Sequence, residues 1–241
     1  SNLTTAIILD GTYFFMALFN KLDGQWKKRS GITTHKNSYF DGYEFINFYM
    51  ENIPIFMREL IVTFKMQSNI NDKNRDYFIL SKGHDVPALY AILSKLNFFN
   101  SNRLRNHCTV EDSIYWHPNT DIPGIEFHSG SLGHGLSIAM GIAYFHKMKK
   151  MDNKIVVMIG DGEMNEGSIW EGLLVAPAKE LSNLTVVIDR NEFQANLKTE
   201  DLIPLEPIEN KLNAFGWNVS RINGHCFDEI ELAFNKKENN F

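Results

Sequence analysis

Two polar turns, each following an apolar run, hold the residues best suited to chemistry. "KIVVMI" runs into "GDGEMNEGSIWEG" (160–172), and "LTVVI" runs into "DRNEFQ" (189–194). In an open α/β sheet, ligands bind beyond the carboxyl ends of the strands, so turns that follow neighbouring strands lie side by side. Asp161 and Asn191 then converge. Magnesium takes six oxygens in near-octahedral geometry and keeps phosphate and water oxygens among them. One carboxylate, one side-chain amide oxygen and one backbone carbonyl from the second turn supply the protein half, with two diphosphate oxygens and a water completing the set. Gly160 and Gly162 remove side chains where a diphosphate must come close, and Gly162 offers an amide at a helix start. By itself GDG is also an ordinary tight turn. The asparagine after the next strand is what tips the reading toward a metal. A P-loop is excluded, because no lysine follows the glycines at the required spacing.

The elements that must position these turns are legible in the alternation of β-rich and helical runs from about residue 75 onward. That alternation is the pattern of an α/β fold with an open parallel sheet flanked by helices on both faces. "DYFILS" (76–81) reads as a strand, and "GHDVPALYAILSKLNFF" as the helix after it. Pro87 suits that helix's first turn, and Leu89, Ile92, Leu93 and Leu96 share one face. A polar, proline-containing loop covers about 100–128. In "SGSLGHGLSIAMGIAYFHKMKK", Gly135, Ala139 and Ala143 recur every fourth residue, a small-residue stripe that predicts a buried helix. "KIVVMIGDG", "SIWEGLLVAPAKEL" and "LTVVIDRN" form a βαβ unit. An interior proline costs about 3 kcal/mol, so Pro177 predicts a kink or break near Val175. "FGWNVSRING" (215–224) predicts a further strand and "FDEIELAFNKK" a helix.

Residues 1–74 are less regular. Phe45, Phe48 and Tyr49, then Met57, Leu60, Ile61 and Phe64, have helical spacing divided by Pro54. The whole chain, 1–241, reads as one domain with an irregular N-terminal extension over about 1–74. "TTAIILDGTYFFMALF" lacks a basic leader and is broken by Asp10 and Gly11, so it reads as folded structure rather than a signal sequence. Arg58 and Glu59 interrupt "IPIFMRELIVTF", leaving no run of the roughly 20 apolar residues a membrane helix needs. The net charge of −5 gives no nucleic-acid footprint. Two cysteines, Cys108 and Cys226, make neither a disulfide framework nor a zinc knuckle and fit a reducing, cytoplasmic setting. His107 beside Cys108 and His225 beside Cys226 read as structural, because adjacent residues rarely ligate one ion. Trp170 and Trp217 read as core.

The strings "RDYFILSKGH", "HPNTDIPGIEFHSGSLGHGLSIAMGIA", "GDGEMNEGSIWEG", "DRNEFQ" and "TEDLIPLEPIENKLNAFGWNV" resemble, in this order, the diphosphate-binding domain of thiamine diphosphate-dependent transketolases. The resemblance runs from about Arg75 to Phe234 and is nearest to the N-terminal subunits of split transketolases. It implies thiamine diphosphate and Mg2+ as cofactors, with Asp161, Asn191 and the Phe193 carbonyl as metal ligands. It further implies that Gly162 and His84 contact the diphosphate, and that Gly130 and Leu132 contact the two rings. By the same resemblance His117 hydrogen-bonds the donor sugar, and Glu166 sits at a subunit interface in a proton network. Taken without its motif, His84 reads rather as a simple cap.

The resemblance also implies a partner: a C-terminal transketolase subunit carrying the pyrimidine-binding domain, whose glutamate activates the cofactor, in an α2β2 heterotetramer closed by a two-fold axis. The chain departs from the family near its N-terminus, where "HKNSYFDGYEFINFYMEN" lacks a GHxGG-like motif; His35 has no such glycines beside it and takes no role. The family's final strand and its late histidine find no match after "FDEIELAFNKK". Three functions follow: transfer of a two-carbon ketol unit between sugar phosphates, thiamine-dependent acyl transfer or decarboxylation of a 2-oxo acid, or a non-catalytic paralogue that keeps the cofactor site.

Overall fold

The computed structural model describes residues 3–10, 75–195 and 197–238. The helices expected around Pro54, and His35, lie outside these residues. A five-stranded, all-parallel sheet forms the centre: β1 (Thr5–Asp10), β2 (Tyr77–Leu80), β3 (Ile155–Gly160), β4 (Leu184–Arg190) and β7 (Asn218–Asn223), in the order β2-β3-β4-β1-β7. A two-stranded antiparallel ribbon, β5 (Phe193–Gln194) with β6 (Leu197–Lys198), follows β4. The helices are α1 (Val86–Lys95), α2 (Gly135–Lys149), α3 (Gly167–Ala178), the single turn α4 (Thr199–Leu202), α5 (Ile208–Phe215) and α6 (Phe227–Glu238).

Successive strand residues point to opposite faces, and the core divides accordingly. Ile7, Leu9, Phe78, Leu80, Val156, Met158 and Val187 pack with α1 and α6, whereas Ala6, Ile8, Ile79, Val157, Ile159, Val186 and Ile188 pack with α2, α3 and α5. Every residue of β3 is buried, which is why "IVVMIG" is continuously apolar rather than alternating. The predicted open parallel sheet with helices on both faces is the observed architecture.

Three local outcomes differ from expectation. β1 lies within the stretch that reads as an irregular extension, yet it occupies the sheet between β4 and β7, with Ile8 opposite Ile188 on one side and Arg221 on the other. The small-residue stripe of α2 is buried as expected, but Tyr144, Phe145 and Met148 on the same helix are exposed, so only one side of it is covered. Finally, α3 does not break near Val175. Pro177 falls in its last turn, and Leu173 O, which residue 177 has no N–H to satisfy, accepts Trp217 Nε1 at 2.7 Å. The tertiary contact supplies what the proline removes. Trp217 is core as read, while Trp170 is only partly buried and donates to Met164 O.

Candidate functional site

β3 and β4 are paired in register through Gly160 and Asp189, so their carboxyl-end turns are neighbours. Asp161, fully buried, follows directly and caps the 3-10 turn Gly162–Asn165, its Oδ1 accepting from Gly162 N at 2.7 Å. Its Oδ2 accepts from Glu192 N at 2.6 Å and Arg190 Nη1 at 2.7 Å in the second turn, and from Thr199 Oγ1 of α4 at 3.4 Å. The backbone bond from the residue after Asn191 is what brings the two turns together. Burial raises the Asp161 pKa, and the bonds from Arg190 and Glu192 offset that only in part.

Asn191 is held at both ends of its amide. Nδ2 donates to Asp189 Oδ2 at 2.9 Å, and Oδ1 accepts from Phe193 N at 2.9 Å, closing an Asx-turn into the β5–β6 ribbon. This turn aims oxygen atoms, not charge. Charge comes from Asp161 and Asp189, with the cations Arg190 and Lys82 close by.

The turn after β2 is tied to both of the others by adjacent residues. Ser81 Oγ donates to Glu163 Oε1, and Lys82 Nζ pairs with Asp189 and with Asp85 Oδ2, the latter at 2.7 Å. Buried Glu163 also accepts from Gly133 N at 2.9 Å and Gly160 N at 3.2 Å, fastening the 129–134 loop to the β3 turn. In that loop Gly130 has φ +136°, and a side chain there would meet the His117 ring at 2.6 Å. A Cβ on Gly83 would lie 2.8 Å from Gly130 N, so the β2 turn and the loop touch backbone to backbone. His117 is exposed, and its carbonyl accepts Tyr90 Oη at 3.1 Å. Leu132 is half-buried. His84 is half-exposed in the Gly83–Asp85 turn, and desolvation, only partly offset by Asp85, lowers its pKa so that the ring is neutral at pH 7.

The expected site residues therefore fall into two groups. Asp161, Gly162, Asn191 and Phe193 sit on the joined turns of β3 and β4, while His84, Gly130, Leu132 and His117 sit on the β2 turn and the segments touching it. Glu166, exposed at the start of α3, packs its methylenes against Gly133. A Cβ on Gly162 would press Gln194 at 3.1 Å, and one on Gly160 would just touch the Lys82 stem at 3.8 Å.

Sequence reasoning missed the ionic frame of Lys82, Asp189, Glu163 and Arg190. Arg190 is buried and also holds Glu200 Oε1 at 2.9 Å and Glu206 Oε1 at 3.2 Å. The signal for it was charged residues set directly against the ends of apolar strands, in "SKGH", "GDGE" and "DRN". Among the described residues no group of three His, Cys, Asp or Glu is placed to hold a metal, and no helix is long and apolar enough to cross a membrane.

Comparison with known proteins matches residues 54–240 to the family described as transketolase, thiamine diphosphate binding domain. The chain is 39% identical over 163 residues to one of the subunits of an apulose-4-phosphate transketolase from Phocaeicola vulgatus, covering 68% of this chain and 58% of that protein. It is 40% identical over 169 residues to the 6-deoxy-6-sulfo-D-fructose transketolase subunit SqwG of a Clostridium species, covering 66% and 58%. A transketolase structure from Campylobacter jejuni superposes with a TM-score of 0.71 at 27% identity, over 76% of this chain and 30% of that one. The chain thus spans somewhat over half the length of the two relatives that are themselves transketolase subunits. With more than half of its residues matched by the family model, and with a parallel sheet that superposes on a solved member, the chain belongs to the transketolase family, in its thiamine diphosphate-binding domain.

Proposed function

We propose that this chain is the N-terminal subunit of a split transketolase, binding thiamine diphosphate through Mg2+ and transferring a two-carbon ketol unit between sugar phosphates. The observation that carries the reading is the 2.6 Å bond from Glu192 N to Asp161 Oδ2, which joins a carboxylate turn to an asparagine turn. The donor set fits a hard cation. Arg190 takes Asp161 Oδ2 while Oδ1 accepts from Gly162 N, Asn191 Oδ1 keeps a second lone pair, and the Phe193 carbonyl belongs to the same turn.

In this reading Asp161, Asn191 and the Phe193 carbonyl hold the metal, and Gly162 N and neutral His84 hold the diphosphate. Gly130 and Leu132 bear on the rings. Thiamine diphosphate supplies an acidic thiazolium carbon and an electron sink for carbon–carbon cleavage. The chain's own part is orientation. His117, whose ring lies beside Gly130 and whose carbonyl accepts Tyr90 Oη, meets the donor sugar, and Glu166 faces a partner chain that carries the pyrimidine-binding domain, in an α2β2 assembly. The single domain extends over 1–241, and the setting is cytoplasmic. Relatives that are named as single subunits of a transketolase support a separate partner chain.

Mixing the chain with the protein encoded beside it, and offering ketose donors and pyruvate separately, tests the activity. Ketol transfer from a ketose is expected; turnover of pyruvate alone would make it a 2-oxo acid enzyme, and turnover of neither a non-catalytic paralogue. Calorimetry with thiamine diphosphate and Mg2+ tests the metal. Heats that match between wild type and Asp161→Ala would remove the metal assignment.

A further inference from the structure

We propose that Lys82 is a positioning residue for Asn191, acting through Asp189 to fix which end of the Asn191 amide faces the metal. The proposal rests on the metal site described above. An asparagine amide has nearly the same shape when turned by 180°, but only its oxygen can bind a cation; the NH2 end would repel one. The turn is decided by hydrogen bonds. Phe193 N donates to Oδ1 at 2.9 Å, and Asp189 Oδ2 accepts from Nδ2 at 2.9 Å.

The same Oδ2 of Asp189 pairs with Lys82 Nζ. Lys82 follows β2 and Asp189 is the penultimate residue of β4, so the lysine reaches across the end of β3, the strand between them. Its stem passes Gly160, where an added Cβ would touch Lys82 Cβ, Cδ and Cε at 3.8 to 3.9 Å. Lys82 is 3% exposed and also pairs with Asp85. Burial alone would lower its pKa, but Asp189 and Asp85 outweigh burial and hold it above the ordinary lysine range. The ammonium is therefore a permanent charge.

Arg190, the other nearby cation, is directed at Asp161, Glu200 and Glu206. Lys82 is thus the cation that keeps Asp189 a fixed acceptor for the amide. Without the Lys82 ammonium, Asp189 Oδ2 is no longer pinned across the end of β3, and Asn191 loses the fixed acceptor that orients it.

The test is a double-mutant cycle read as Mg2+ affinity, measured by calorimetry on the full chain with thiamine diphosphate present. Lys82→Met is expected to weaken Mg2+ binding by about tenfold to a hundredfold, the usual effect of losing a group that supports a metal ligand. In an Asn191→Ala background the same substitution is expected to weaken it no further. An equal loss in both backgrounds, or no loss in either, overturns the proposal, because a merely structural lysine acts independently of Asn191. If Lys82→Met does not fold, Lys82→Met/Asp189→Leu removes both charges together and enters the same cycle with the same outcomes. Asp161→Ala separates the two levels: equal binding to wild type and Asp161→Ala removes the metal site and this proposal together, whereas loss only in Asp161→Ala with additive Lys82 effects removes this proposal alone.

Discussion

Arg190 Nη1 lies 2.7 Å from Asp161 Oδ2 with both side chains buried, so the carboxylate at the centre of the candidate site already has a cation on one oxygen. Replacing Arg190 by methionine leaves a buried, uncompensated charge, which costs about 3 to 5 kcal/mol. A divalent ion on the other oxygen offsets that loss. The expected outcome is a lower melting temperature for Arg190→Met, with a larger stabilising shift on adding Mg2+ and thiamine diphosphate than wild type shows, measured by calorimetric melting.

The raised pKa of Asp161 has a pH consequence of definite sign. A carboxylate whose folded pKa lies above its unfolded value opposes folding when ionised, so at neutral pH without metal Asp161 weakens the fold; bound metal relieves this. Protons compete for the site at higher pH than at an ordinary aspartate. Mg2+ affinity is expected to begin falling above the usual aspartate range, near 3.9, as pH is lowered. Affinity that stays level until that range is reached would contradict the shift.

Trp217 and Pro177 are coupled through Leu173 O. Trp217→Phe leaves that carbonyl buried without a donor, at a cost of about 1 to 3 kcal/mol, beyond any loss of packing. Pro177→Ala restores an N–H four residues on. The substitution is expected to recover about 1 kcal/mol in the Trp217→Phe background and less in wild type, as read by urea unfolding.

Ile8 is fully buried in β1, packed among α2, α3 and α5 side chains. Ile8→Ala is expected to cost about 2 to 5 kcal/mol by chemical denaturation. A strand loosely laid on the sheet would lose far less, so a cost under about 1 kcal/mol would argue against its central place.

Local pattern carried a large part of this protein. The continuous apolar runs of β3 and β4 fixed two buried strands, Pro87 marked the first turn of α1, and the glycine, acid and asparagine after the strands marked two turns that lie side by side. Each of these signals lies within a few residues of the element it describes, which is why a single chain reveals it. Strand order is different. Parallel neighbours are joined by crossovers rather than hairpins, so nothing in "TAIILD" announces that β1 inserts between β4 and β7. The ionic frame depends on that order. Lys82 meets Asp189 only because β3 separates their strands, Arg190 meets Asp161 only because two turns adjoin, and Leu173 O finds Trp217 only once α3 packs near the start of β7. Sequence determined where the polar turns of the candidate site sit, because turns and periodicity are local; the tertiary structure decided which charges hold them in place, because a buried ion's partner is chosen by packing.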